Sequence, residues 1–138
     1  MARRVVNIET GSHPQSNQQR ARQHAERVRA PLREVAMTLQ EVLSRQVAAY
    51  AIGVRDAKTI NRWANGETDT VRDVRVERRL RATYDIISML LEVDAPATIR
   101  TWFVSMNPLL DDRTPVEAIR SGDEREAMLA ARAFAAYG

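Results

Sequence analysis

The chain has 138 residues, no cysteine and a net charge of +3, and 44% of its residues are hydrophobic. That length supports a single helical core without covalent staples, and the lack of cysteine excludes disulfides and thiolate-held metals. His13 and His24 have no second ligand at metal-like spacing, no apolar run nears the roughly 20 residues of a membrane span, and the N-terminus lacks a signal peptide's apolar core, so a cytoplasmic protein with no metal, cofactor or membrane is expected.

Residues 1–29 open the chain as a flexible basic and polar arm, since residues 7–24, NIETGSHPQSNQQRARQH, hold almost nothing apolar. Its arginines Arg3, Arg4, Arg20 and Arg22 suit either phosphate contacts or a solvated tail. From the first-turn proline Pro31, the positions Leu32, Val35, Met37, Leu39, Val42 and Leu43 lie close to a helical stripe, which predicts a helix to about Leu43. Ser44 then caps a second short helix that Gly53 stops, and Asp56 caps a third from Ala57 to Ala64 that Asn65-Gly66 ends.

Thr70, three residues before Asp73, resembles a capping box with the acid one carbon short. A long helix follows toward Val93, with Val74, Leu80, Tyr84, Ile87 and Leu91 on the helical period and arginines on the other faces. After the break at Asp94-Ala95-Pro96, ATIRTWFVSM reads as a helix stopped by Asn107-Pro108. NPLLDDR is a loop, Thr114 caps and Pro115 starts a two-turn helix that Gly122 closes, and DEREAMLAARAFAAY runs on as an alanine-rich helix. No segment alternates with period two, so the fold is all-α.

Charge is split along this order. Residues 1–81 carry 16 basic and 9 acidic side chains, +7, and residues 82–138 carry 5 basic and 9 acidic, −4. The front half suits a polyanion, although oppositely biased solvated faces give the same count. Within it, a helix-turn-helix needs a small residue four positions before the turn glycine, where the helices cross closely, and apolar residues at fixed offsets after it. Ala49 precedes Gly53 by four, and Ile52, Val54, Ile60 and Trp63 supply the apolar positions. Ile60 and Trp63 fall one residue late, so the turn GVRDA is read as one residue longer than usual. Lys58, Thr59, Asn61 and Arg62 then project from the recognition helix, with Arg55 near the turn and Arg45 and Gln46 at the start of the preceding helix. The last pair suits phosphates, and Asn or Arg can read adenine or guanine edges. A purely structural helical hairpin carries the same turn signals.

The back half is acidic and offers no nucleophile and base together; the pair Asp111-Asp112 has no partner acid or histidine, so no enzyme is expected. Its most specific stretch is WFVSMNPLLDDRTPVEAIRSGDE: a tryptophan on a helix, Asn-Pro, two leucines, a short polar turn, a proline opening a helix and Ser-Gly closing it. This resembles the C-terminal domain of the Xre/MbcA/ParS antitoxins, and GVRDAKTINRWANGE is similar to that family's helix-turn-helix, the resemblance covering residues 30–138.

The resemblance implies an antitoxin of a type II toxin-antitoxin system. Its partners are a RES-domain toxin encoded next to it, an NAD-consuming enzyme whose active site it blocks, and operator DNA through which it represses its own operon. Residues 30–93 become the helix-turn-helix and dimerisation region, joined by the long helix to a toxin-binding domain at 94–138, in a homodimer or a higher hetero-oligomer with toxin. Trp102, Asn107, Pro108, Leu109, Leu110, Pro115 and Gly122 match the family motif and mostly shape the domain. Contact candidates lie in the final helix: Met128, Leu129, Ala131, Arg132, Phe134, Ala135 and Tyr137, followed by Gly138, against the alternative that this helix completes the chain's own core. The longer turn and the polar arm depart from the family pattern. A plain helix-turn-helix repressor with a C-terminal dimerisation domain is the competing reading.

Overall fold

Helix punctuation in this chain is strong and local, and it sets the architecture. In a computed structural model the described residues are 29–137, and they form seven α-helices and one 3-10 turn: α1 (Leu32–Val42), α2 (Arg45–Ile52), α3 (Lys58–Ala64), α4 (Val74–Leu90), α5 (Pro96–Val104), the 3-10 turn (Pro108–Leu110), α6 (Pro115–Arg120) and α7 (Glu124–Tyr137). Among the described residues there is no strand, so the fold is all-α. From Pro31 onward the chain makes one compact unit. Residues 1–28 of the expected N-terminal arm, with Arg3, Arg4, Arg20, Arg22 and both histidines, and Gly138 fall outside the described residues.

α1 buries Leu32, Val35, Ala36, Leu39 and Val42; Met37, expected on this stripe, is exposed, because Ala36 takes the adjoining inward position. The corner to α2 is a single residue in an unusual conformation. Ser44 has φ +91° and ψ 159°, and its hydroxyl accepts a hydrogen bond from the Val47 N–H at 3.3 Å. Gly53 ends α2 at φ +88°, where a side chain is strained.

α4 differs from expectation in both cap and face. Thr70 caps nothing; the N-cap is Asp73, whose carboxylate accepts from the Arg75 and Val76 N–H groups at 2.9 and 3.4 Å. The inward stripe is Val76, Leu80, Thr83, Ile86, Ile87 and Leu90, whereas Val74 and Leu91, expected to be part of it, are exposed. Thr83 is buried without cost because its hydroxyl donates to the Arg79 carbonyl at 2.7 Å. The helix stops at Leu90, short of Val93.

α3 packs on α1 and α2, α5 on α1, α6 on α2 and α4, and α7 on α4 and α6, so segments 30–93 and 94–138 share one core. Arginines from the later elements fasten the ends of the earlier ones. Arg100 of α5 donates from Nε to the Val42 carbonyl at 2.7 Å, Arg120 of α6 donates to the Tyr50 carbonyl at 2.7 Å, and Arg79 of α4 donates to the Ile52 carbonyl at 3.3 Å. Each guanidinium meets carbonyls in the last turn of a helix, which lack intrahelical donors and sit at the negative end of the dipole. Part of the arginine excess therefore has an internal role that the charge count did not reveal. Tyr84 closes the other side, its hydroxyl donating to the Glu34 carboxylate at 2.8 Å across α4 and α1.

Candidate functional site

Two surfaces carry the residues singled out in the sequence. The first is built on α2, the turn and α3. Ala49 is buried where the helices cross, and its carbonyl accepts from both the Gly53 and Val54 N–H groups at 3.0 and 3.1 Å, which folds the chain back after α2. Residues 53–57 separate the two helices, the length expected from GVRDA. α3 begins at Lys58 and not Ala57, so its N-cap position falls on Ala57, which has no capping side chain, and not on Asp56 as expected; Asp56 still accepts from the Lys58 N–H at 2.9 Å from one residue further back. Ile60, Trp63 and Ala64 are buried, so α3 is held by one side only.

The opposite side of α3 is polar. At about 100° per residue, Asn61, Lys58 and Arg62 share the arc facing away from the buried trio, with Thr59 at its flank. Lys58 and Arg62 are exposed, Thr59 and Asn61 half-buried, and Arg62 Nη2 lies 3.4 Å from the Thr59 hydroxyl, so these two are joined. Arg55 is exposed on the turn and Arg45 in the first turn of α2. Gln46 is also exposed, but it lines a groove of about 350 Å³ between α2 and α6 together with Val47, Tyr50, Val104, Val116 and Glu117. Chemically the α3 face offers fixed cations and amide or hydroxyl groups with no buried nucleophile among them, a surface for hydrogen-bonded recognition.

The second surface is the end of the unit made by α5, the 3-10 turn and α7. Trp102 is nearly buried, with its ring edge-on to Phe103 at 5.1 Å between centroids and tilted against Phe134 at 6.0 Å. Phe134 is half-buried by that contact. Asn107 organises the loop: its side chain accepts from the Leu109 N–H at 2.9 Å, its carbonyl from Leu110 and Asp112 at 2.9 Å, and its own N–H donates to Arg113 at 3.0 Å. Pro108 opens the 3-10 turn, and Asp111 and Asp112 both adopt positive φ, +57° and +64°. Arg113 pins the loop to the start of α7 through Asp123 at 2.7 Å, and that ion pair holds its guanidinium above its ordinary pKa. Thr114 and Glu117 complete a full capping box on α6, a reciprocity the sequence reading had not noted beyond the cap itself.

This scaffold pushes apolar side chains outward. Leu109 is 66% exposed, Met106 75% and Tyr137 92%, with Arg132 also exposed. Of the motif residues, Trp102 and Leu110 face the core and Leu109 faces solvent. Met106 and Val104 were missed, because nothing in a helix-end sequence distinguishes an apolar residue that turns outward from one that closes the core. α7 buries Ala127, Ala130 and Ala131 on its neighbours, so most of it completes the core, and its outward side carries Leu129 and Arg132.

Among the described residues no group of three or more potential metal-ligating His, Cys, Asp or Glu side chains sits together, and no helix is long and apolar enough to cross a membrane. No family model matches the chain, and no curated protein matches it. Among solved structures it is similar to a chain of the M. tuberculosis MbcT-MbcA toxin-antitoxin complex, with a TM-score of 0.61 and 21% identity, covering 74% of this chain and 90% of that one. At that identity the two share a fold.

Proposed function

We propose that the chain is the antitoxin of a type II toxin-antitoxin pair. It binds a RES-domain, NAD-consuming toxin encoded beside it and blocks that enzyme's active site, and it represses their operon with α2 and α3 acting as a helix-turn-helix. The observation that carries this reading is the fold shared with a chain of the MbcT-MbcA toxin-antitoxin complex over 90% of that chain.

The α3 face supports the DNA half. Lys58, Asn61 and Arg62 point away from a side fixed by Ile60 and Trp63, the arrangement a helix needs to enter a major groove. A symmetric dimer would set two such helices in successive grooves. The exposed Leu109, Met106 and Tyr137 support a protein partner, since each keeps apolar area in water at about 25 cal/mol per Å² until something covers it. Arg132 stands on the same helix as Tyr137 and supplies one cation for an acidic group of the toxin. Trp102, Asn107, Pro108 and Phe134 act from behind, by holding the loop and the end of α7 in place.

Co-expression with the neighbouring gene, followed by size-exclusion chromatography, tests the pairing. The wild-type chain should co-elute with that gene's product, and Leu109→Asp with Tyr137→Asp should release it. If the wild type shifts DNA yet elutes alone, the protein is a plain repressor and the antitoxin reading fails.

A further inference from the structure

Arginines stand at 75, 78, 79 and 81 in the first turns of α4 and at 72 just before it, and the structure sorts them into two sets. Arg79 reaches back to the Ile52 carbonyl at 3.3 Å, and Arg81 pairs with Glu77 at 3.1 Å. Arg72, Arg75 and Arg78 face solvent. Among the described residues the ion pair they make is with Asp73, 4.0 Å from Arg75 and itself committed to capping the helix, a pair too exposed to hold the cation in place. Arg75 and Arg78 are one turn apart, on the side of α4 away from Val76 and Leu80.

The Arg79 contact also says where this row stands. A Cβ on Gly53 would come within 2.6 Å of Arg79 Nη1, so the Arg79 side chain, from the second turn of α4, lies directly against the turn that leads into α3. Arg75 and Arg78 stand on the same first turns of α4 as Arg79, whose side chain reaches the turn between α2 and α3 two residues before Arg55. Like charges set along one short stretch of chain repel one another, and a row of them whose partner among the described residues is one exposed carboxylate is stabilised by a line of anions outside.

We infer that Arg72, Arg75 and Arg78 form a second contact with DNA, a sequence-independent clamp on the phosphate backbone flanking the groove that α3 enters. This rests on the DNA half of the proposed function. Guanidinium groups suit phosphate oxygens through paired N–H donors, and contacts of this kind set register and affinity without reading bases. The footprint of each subunit then extends past the recognition helix.

Salt dependence separates such contacts from base readout. Each phosphate neutralised contributes a slope of about 0.9 in log K against log salt, so Arg72→Ala, Arg75→Ala and Arg78→Ala together should lower the slope by roughly 2.7. A fourfold rise in salt should then cost the triple variant roughly 40-fold less affinity than it costs the wild type. The probes are a duplex from immediately upstream of its own gene and an unrelated duplex of equal length, and preference between them should not change. The triple lysine variant should keep the wild-type slope, and melting temperatures should match, since all three side chains are exposed. A wild-type chain that binds its upstream duplex, with a triple alanine variant of unchanged slope, overturns the clamp and leaves the DNA reading standing. A wild-type chain that binds neither duplex at low salt sinks both.

Discussion

At the scale of single residues, Ser44 and Gly53 frame α2 and carry opposite lessons. Both sit at positive φ, +91° and +88°, yet only one is glycine. A non-glycine residue in that region stores on the order of 1–3 kcal/mol, and the Ser44 hydroxyl recovers part of it by capping Val47 at 3.3 Å. Glycine at an N-cap costs only a few tenths of a kcal/mol relative to serine, so Ser44→Gly should stabilise the fold by about 1 kcal/mol. Ser44→Ala keeps the strain and loses the cap, and should destabilise by roughly 0.5–2 kcal/mol. Urea denaturation of the two variants checks the pair, and equal signs for both would show that the backbone at 44 is not strained. Ser44 was legible as a cap because its signal is local. Its positive φ was not, since serine shows no local preference for that conformation.

The same division runs through whole elements. Helix starts and stops at Gly53, Asn65-Gly66, Thr114, Pro115 and Gly122 were readable, each being a property of a residue and its neighbours three or four positions away. The face of α4 was not. Leu91 fits the period as well as Leu90 does, and only tertiary contact decides which of the two goes inward. Val74, however, stands about 120° around the helix from Leu80 and Val76 only about 40°, so Val76 was the better reading of the period. Thr83 was passed over because a hydroxyl looks polar until it bonds to its own helix. The arginine caps were invisible for another reason, since Arg100 and Arg120 meet carbonyls 58 and 70 residues away in sequence. The tie between α4 and α1 gives a pH signature. Burial pushes the Tyr84 phenol above its ordinary value, and its hydrogen bond to the Glu34 carboxylate pushes the same way. A raised folded pKa means that the native state holds this proton longer than the unfolded chain does. Its contribution is therefore full below the unfolded value of about 10 and lost as pH rises through the folded one. Tyr84→Phe should be less stable than wild type at pH 8, with a shallower decline above pH 10, in guanidinium titrations. An unchanged alkaline slope would remove Tyr84 as its source.

For the molecule as a whole, the account turns on one chain offering two partners two different surfaces. The front-half excess of +7 was visible in composition, and part of it stands exposed on α3 and about the start of α4, at Lys58, Arg62, Arg72, Arg75 and Arg78. The surface proposed for the toxin was legible only through a motif, and the motif residues divide in the structure: Trp102 and Leu110 are buried in the scaffold and Leu109 stands outside. Deleting α7 would not isolate this surface, because Ala127, Ala130 and Ala131 are core residues and Phe134 covers Trp102. Point variants at exposed positions are the sound probe. The central claim is neutralisation of an NAD-consuming toxin, and its most direct measurement is the cellular NAD pool after induction of the neighbouring gene. With the wild-type chain co-expressed, NAD should hold at the uninduced level, and with Leu109→Asp and Tyr137→Asp together it should collapse while the variant stays folded. If NAD falls equally with the wild type present, or never falls when the neighbouring gene is induced alone, the antitoxin account is contradicted.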